Sequence, residues 1–480
     1  MPKHILTTPI WKYLVAALAL LLLIVLALDL IIFLLLRILT DGIAFLTIFL
    51  WSLPFYFISF YFLYRFLDAR FLNVTPSASL FYPFESGPWL HYAGPPETSI
   101  VINWATKEEE ESVVLLGENK KNLNEYRGKQ GKIHHLLISG LKPDTEYYYR
   151  ILNFKTEEML YSFRTASENP TSVSIVLIGD TQNGGALGFD DWAFPQIIKG
   201  LKEENFDLLM HLGDATDQGN DIRSWHAFLD TASQVAQSKP LHVAVGNHDT
   251  GTNYLHDPNI KKYPDEGANF DYLLGYQYKT ASEESQITPF RGRYYSFDYG
   301  HCHFLFVDTQ NSKWAIPENP QWDFIKKDLE NCASGQWKIV LLHRVMIEVK
   351  LDGDKPRYKY NRFAQFLLPL FDKYQVDVVF QGHGHYYQHI NWTYSPECPF
   401  YDSDHQWDHS TIPYIVTGGA GIHLRRNALF TGEDTSLPGF VARENSSHYT
   451  IMKIKKEQAV IEPKYPNGTV LGEQRVLLRK

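Results

Sequence analysis

Apolar and polar positions follow three successive patterns along the chain. From Leu14 to Leu36 the only polar side chain is Asp29, and after a polar break at Arg37–Gly42 a second apolar run extends from Ile43 to Tyr64. Runs of roughly 20 residues at 1.5 Å each are long enough to cross about 30 Å of hydrocarbon, so residues 1–70 are predicted to form two transmembrane helices. A cleaved signal peptide fits less well, because its apolar core would be only about 7–15 residues long. Lys3, Lys12, Arg65 and Arg70 flank the outer ends, against Arg37 alone between the runs. This predicts an integral membrane protein in contact with the lipid bilayer, its downstream body in the cytoplasm. A single span would place that body on the extracytoplasmic side.

Residues 71–88, with Pro76, Pro83 and Pro88, have the composition of a linker. Short alternating runs follow at Ser99–Trp104, Ser112–Leu116, His134–Ile138 and Tyr147–Ile151, separated by turn residues, as strands of a β-sandwich would be. The segment from Leu141 to Tyr147 looks like a tyrosine corner, and residues 89–166 resemble a fibronectin III-like domain. The charge run Glu108–Glu111 is expected to be a solvated loop tip.

Residues 171–480 change character. β-branched runs at Val173–Ile178, Leu208–Leu212, Leu241–Val245, Lys338–Leu342 and Val376–Phe380 read as strands buried on both faces. Between them, Trp225, Phe228, Leu229, Ala232 and Val235 recur at helical spacing, as do Phe363, Phe366, Leu367 and Leu370. Each strand is followed by chemistry: Gly179-Asp180, Gly213-Asp214, Gly246-Asn247-His248-Asp249, then His343, then Gly382-His383-Gly384-His385. Open α/β sheets place their sites at this carboxyl edge. Carboxylate, amide and imidazole donors suit divalent first-row metals, and the lack of cysteine in the set argues against a structural zinc site. The net charge of −9 argues against a nonspecific nucleic-acid binder, and three cysteines exclude a disulfide-dense scaffold.

On these motifs the chain resembles the calcineurin-like metallophosphoesterases, and more narrowly the purple acid phosphatases. The narrower likeness rests on the segment Arg293–Phe304, on Gln321-Trp322 and Lys327-Asp328-Leu329, and on the β domain ahead of the catalytic body; it spans about residues 86–480. The resemblance implies a four-layer αββα sandwich. It further implies that Asp214 bridges two metals, that Asn247, His343 and His383 complete the second, and that Asp180 and His385 hold the first. His248 resembles the residue that stabilises the phosphoryl oxygens and protonates the leaving group. Two such cations supply a bridging hydroxide as the nucleophile.

Two departures bear on the metals. Asp217 stands where purple acid phosphatases have a tyrosine, so tyrosinate-bound Fe(III) is not expected, and two divalent ions (Mn²⁺, Zn²⁺ or Fe²⁺) are. Gln182 replaces a histidine of the broader family and is expected beside the metal or as a weak ligand, with Asp249 and Asp217 also nearby. Arg344 is a candidate phosphate contact, and Gly418–Gly421 reads as a tight turn near the site. The expected function is a membrane-anchored phosphomonoesterase acting on a phosphorylated small molecule. A phosphodiesterase with the same site, or a catalytically weak membrane-anchored adhesion protein, is the alternative.

Overall fold

Alternating and continuous apolar runs sort into different sheets, as the faces they bury require. The computed structural model describes residues 85–154, 159–182, 193–219, 221–250, 268–274, 292–310, 319–352, 355–393, 411–421, 437 and 439–479. The amino-terminal part is an antiparallel five-stranded sheet of β1 (Ser86–His91), β2 (Ser99–Asn119), β3 (Asn122–Ser139), β4 (Glu146–Ile151) and β5 (Tyr161–Arg164). The runs expected as two strands, Ser99–Trp104 and Ser112–Leu116, are one ribbon whose register shifts at bulges. Glu108–Glu111 lies inside that ribbon rather than at a loop tip. Bulges absorb extra residues without ending the ladder, so the acidic side chains reach solvent from mid-strand. The Lys142 backbone N–H donates to the Tyr147 hydroxyl at 2.9 Å, which is the corner the sequence suggested.

The carboxy-terminal body holds two mixed sheets. The six-stranded sheet runs β20-β19-β18-β6-β7-β8, from β6 (Val173–Ile178), β7 (Leu208–His211), β8 (Leu241–Val243), β18 (Tyr449–Ile454), β19 (Gln458–Lys464) and β20 (Arg475–Leu478). The seven-stranded sheet runs β17-β15-β16-β14-β11-β10-β9. Its members are β9 (Tyr295–Tyr299), β10 (Cys302–Val307), β11 (Trp337–Leu342), β14 (Val378–Gln381), β15 (Tyr387–Thr393), β16 (Thr411–Thr417) and β17 (Phe440–Glu444). A separate hairpin, β12 (Ile347–Asp352) and β13 (Lys355–Tyr360), follows β11.

Parallel neighbours need helical crossovers. α1 (Phe194–Leu201) and α2 (Ile222–Ala236) connect β6 to β7 and β7 to β8, and α3 (Ala268–Leu274) follows. α4 (Pro320–Asn331) and α5 (Ala364–Lys373) serve the second sheet. On β10, Phe304 and Phe306 join the large core shared with the six-stranded sheet, whereas Leu305 and Val307 join a second core with Phe324 of α4 and Leu367 of α5. The strand's two-residue period therefore divides one sheet between two cores, which explains why Phe304–Val307 is apolar without a break. Trp225, Phe228, Leu229, Ala232 and Val235 of α2 are buried as their spacing predicts.

The expectation of an integral membrane protein is corrected. Among the described residues no helix is long and apolar enough to cross a membrane; the longest, α2, has 15 residues, and a span needs about 20. The apolar stretch at 1–70 and most of the linker lie outside the described residues, so the cytoplasmic placement derived from their flanking charges has no structural support.

His303 links β9, β10 and α4. Its Nδ1 and Nε2 each stand 2.8 Å from a carboxylate, of Asp298 and Asp328. Burial lowers its pKa, but its hydrogen bonds to the two carboxylates, and their charge, outweigh that and raise it to about 9. Against an unfolded value near 6.5 the ceiling is about 3 kcal/mol, and the exposure of Asp298 reduces it to about 2 kcal/mol. Because the folded value is raised, this stabilisation is complete below about pH 6.5 and is lost as pH rises through about 9. Thermal unfolding across that window is expected to show the decline in the wild-type chain, and His303→Gln is expected to flatten it.

Candidate metal centre

Strands from both sheets end in one locality. Asp180 follows β6, Asp214 follows β7, Asn247 follows β8, His343 follows β11, and His383 and His385 follow β14. Asp180, Asp214, His383 and His385 adopt left-handed backbone, with φ of 58°, 54°, 61° and 44°. For non-glycine residues this costs about 1–3 kcal/mol each and persists only where surrounding structure enforces it. The turn throws each side chain sideways off its strand end toward the others. Gly418 shows how closely the backbone approaches, since a Cβ there would fall 2.3 Å from Asp180 Oδ2.

Two groups of metal-competent atoms result. Asp214, His343 and His383 form one and Asp180, Asp214 and His385 the other, each with donor atoms within 4.8 Å of one another. Asp214 belongs to both. Its Oδ2 is 3.3 Å from His343 Nε2, and His343 Nε2 is 2.9 Å from Asn247 Oδ1. His343 Nδ1 donates to the Leu212 carbonyl at 2.9 Å, which fixes the ring and turns Nε2 inward. Asp180 Oδ2 accepts from the His383 backbone N–H at 2.7 Å. Its Oδ1 is buried with no hydrogen-bond partner among the described residues and stands 3.2 Å from His385 Nε2.

A buried carboxylate oxygen with no donor, in a ring of oxygen and imidazole donors, fits a divalent cation. Electrostatics point the same way. Burial opposes ionisation of Asp214, but the charge and hydrogen bond of His343 hold its carboxyl well below the ordinary range. Burial likewise lowers His343, and Asp214 more than reverses this, raising it to about 9. In the metal-free chain a proton on His343 Nε2 thus occupies the place a cation would take.

Residues 173–387 match the calcineurin-like phosphoesterase family, and residues 87–165 match the purple acid phosphatase, N-terminal domain family. The chain carries a calcineurin-like metallophosphoesterase domain preceded by a purple acid phosphatase N-terminal domain. Among curated relatives, it is 27% identical over 328 residues to "Probable inactive purple acid phosphatase 24" of Arabidopsis thaliana, covering 61% of this chain and 49% of that one. It is 26% identical over 286 residues to "Nucleotide pyrophosphatase/phosphodiesterase" of Hordeum vulgare, covering 55% and 73%. The chain spans about half the length of the first three such relatives. Among solved structures, purple acid phosphatase PPD1 from yellow lupin (Lupinus luteus) seeds superposes with a TM-score of 0.63 at 20% identity, covering 82% of this chain and 75% of that one. That likeness establishes the fold.

Around the metal groups of this metallophosphoesterase, His248 lies at the rim. Its backbone N–H donates to Asp214 Oδ1 at 2.7 Å, and its Nδ1 donates to the Asp217 carbonyl at 2.8 Å. That leaves Nε2 facing the site, 3.9 Å from Asp214 Oδ2. The Asp217 carboxylate is 3.7 Å from His248 Nδ1. Gln182 lies between Asp214 and His385. Arg344 is half-buried beside His343, with its backbone N–H on Thr309 Oγ1 at 2.9 Å and its buried Nε without a hydrogen-bond partner among the described residues. Burial pulls its pKa down, and the charges of Asp214 and Asp308 oppose this.

Asp249 is turned away from the donor ring. It accepts from the backbone N–H groups of Gly246 (2.7 Å), Asp214 (2.9 Å) and Thr216 (3.1 Å), so it ties the β7 and β8 ends together. Burial, then the Asp214 charge, pushes its carboxyl up to about 7. Three supporting residues went unread in the sequence. His211 bonds Thr181 Oγ1 at 2.8 Å, Gln310 donates to the Val245 carbonyl at 2.7 Å, and Thr309 holds Arg344. A signal existed for two of them. Asp308-Thr309-Gln310 after β10 repeats Asp180-Thr181-Gln182 after β6.

An amide at position 249 would turn an NH₂ group toward N–H donors. Asp249→Asn is expected to lower metal affinity about 10–100-fold without removing any ring donor, measured by calorimetric titration of the metal-free chain.

Proposed function

We propose that this chain is a dinuclear-metal phosphoric-ester hydrolase of the phosphomonoesterase type. The overlap of two donor groups on the single carboxylate of Asp214 is the observation that carries this reading. Asp180, Asp214 and His385 would hold a first divalent ion, and Asp214, Asn247, His343 and His383 a second. When bound, such a pair supplies Lewis-acid charge and a water acidic enough to attack phosphorus at neutral pH. No phenol stands at position 217, so the centre is expected to be colourless.

The chain's own side chains do the rest. His248, its Nδ1 committed to the Asp217 carbonyl, keeps Nε2 for the phosphoryl group and carries the proton that the departing oxygen needs. Arg344 brings guanidinium donors whose Nε has no hydrogen-bond partner among the described residues, and takes a phosphoryl oxygen. The left-handed turns and the Asp249 tie hold the donors in place before substrate arrives, so little reorganisation is required at reaction. A diester reading has one specific support, the relative named as a nucleotide pyrophosphatase/phosphodiesterase. Several other relatives carry "inactive" in their names. The acid, carboxylate and imidazole groups brought together here favour turnover.

The deciding comparison is hydrolysis of nitrophenyl phosphate against its bis-ester by the metal-loaded full chain. Asp214→Asn is expected to abolish both activities and to release metal, and an unchanged rate would remove the catalytic assignment. His248→Ala is expected to lower kcat about 100-fold or more while metal content stays at the wild-type level. Arg344→Ala is expected to raise KM about tenfold, with a smaller effect on kcat. Metal retention with turnover of neither ester in the wild-type chain would favour a binding protein instead.

A further inference from the structure

Gln182 is two residues beyond Asp180, only 2% exposed, and its side chain enters the group formed by Asp180, Asp214 and His385. With the amide in one orientation, the nitrogen lies 3.5 Å from Asp214 Oδ2 and 3.3 Å from His385 Nε2, while the oxygen faces carbonyl oxygens and accepts nothing. A half-turn of the amide satisfies both ends. Nε2 then donates to the main-chain oxygens of Asp214 at 2.9 Å and Asp180 at 3.2 Å, and Oε1 takes the place beside His385 Nε2. Hydrogen-bond chemistry selects this second orientation.

We infer that Gln182 Oε1 is a direct ligand of the first metal position, completing a four-donor set with Asp180 Oδ1, Asp214 Oδ2 and His385 Nε2. The inference rests on the dinuclear reading above. Its support is the spacing of the donors. Oε1 in the selected orientation is 3.3 Å from His385 Nε2, at a position 3.5 Å from Asp214 Oδ2; His385 Nε2 is 3.2 Å from Asp180 Oδ1. Donors bonded to one ion at about 2.1 Å stand roughly 3.0–3.4 Å apart, from octahedral to tetrahedral angles. The amide oxygen accepts from His385 Nε2 and points into a ring that also contains a buried carboxylate oxygen, Asp180 Oδ1, with no hydrogen-bond partner among the described residues. The pinning is also specific. The two main-chain carbonyls that hold Nε2 belong to the two aspartates of the same ring, so the oxygen is aimed by the backbone it serves.

The chemistry of the two positions then differs. The first has two carboxylates, an amide oxygen and one imidazole, a set suited to a hard divalent ion such as Mn²⁺. The second has the shared carboxylate, an amide oxygen and two imidazoles, a set more accommodating to Zn²⁺.

The test is titration of the metal-free full chain with Mn²⁺, following free ion by electron paramagnetic resonance and bound ion by elemental analysis. The wild-type chain is expected to bind two equivalents. Gln182→Leu is expected to weaken one of them about 10–100-fold and leave the other unchanged. Gln182→Glu keeps an oxygen donor and loses the amide N–H, and is expected to hold both equivalents at least as tightly as wild type. Wild-type affinity for both equivalents in Gln182→Leu would overturn the inference. So would a loss in Gln182→Glu equal to that in Gln182→Leu, since the residue would then act through its N–H groups alone. Fewer than two equivalents in the wild-type chain would instead overturn the dinuclear reading, and this inference with it.

Discussion

A carboxylate buried among imidazoles is the interaction on which the rest of this structure depends. Asp214 is 1% exposed, and an unpaired charge at that depth would cost far more than the fold can supply. It is tolerated because His343 Nε2 and the His248 backbone N–H converge on it, and because Asp249 secures the backbone on either side. The same pairing means that whatever occupies the ring must be positive. In the metal-free chain a proton on His343 serves, and a cation offers more charge and more directional bonds.

That constraint reaches into the backbone. Asp180, Asp214, His383 and His385 all occupy the left-handed region, which a two-residue strand pattern does not anticipate. Strain at several ligand positions is affordable only because the strands beneath them are buried in the two cores, β6 and β7 in the large one and β14 in both. β10 and β11 contribute to both, so their carboxyl ends cannot drift relative to each other. The glycines next to the donors admit the crowding: Gly246 and Gly418 leave no room for a side chain beside Asp214 and Asp180.

Parts of the molecule were misread for identifiable reasons. Glu108–Glu111 looked like a loop because four acidic residues seldom share a buried strand, yet the ribbon carries them outward through bulges. Asp249 was expected near the metals, beside Asn247 and His248, without a defined role; its carboxylate accepts from three backbone N–H groups. His211 was invisible inside the apolar run Leu208–Leu212, since burial there is shared by structural and supporting residues alike.

The sequence by itself determined which atoms were available and roughly where they would sit. Five runs with strand character, each closed by Asp, Asn or His, dictate a carboxyl-edge site, because apolar content sets strands and parallel strands share one edge. It also determined the tyrosine corner, from Leu141 to Tyr147 alone. The resemblance already implied that Asp214 is shared; only the tertiary structure set the spacing of its two donor groups, turned Gln182 inward and turned Asp249 away. Those outcomes depend on distances of 2.9–3.5 Å between residues far apart in the chain, and no local pattern encodes a distance across two sheets.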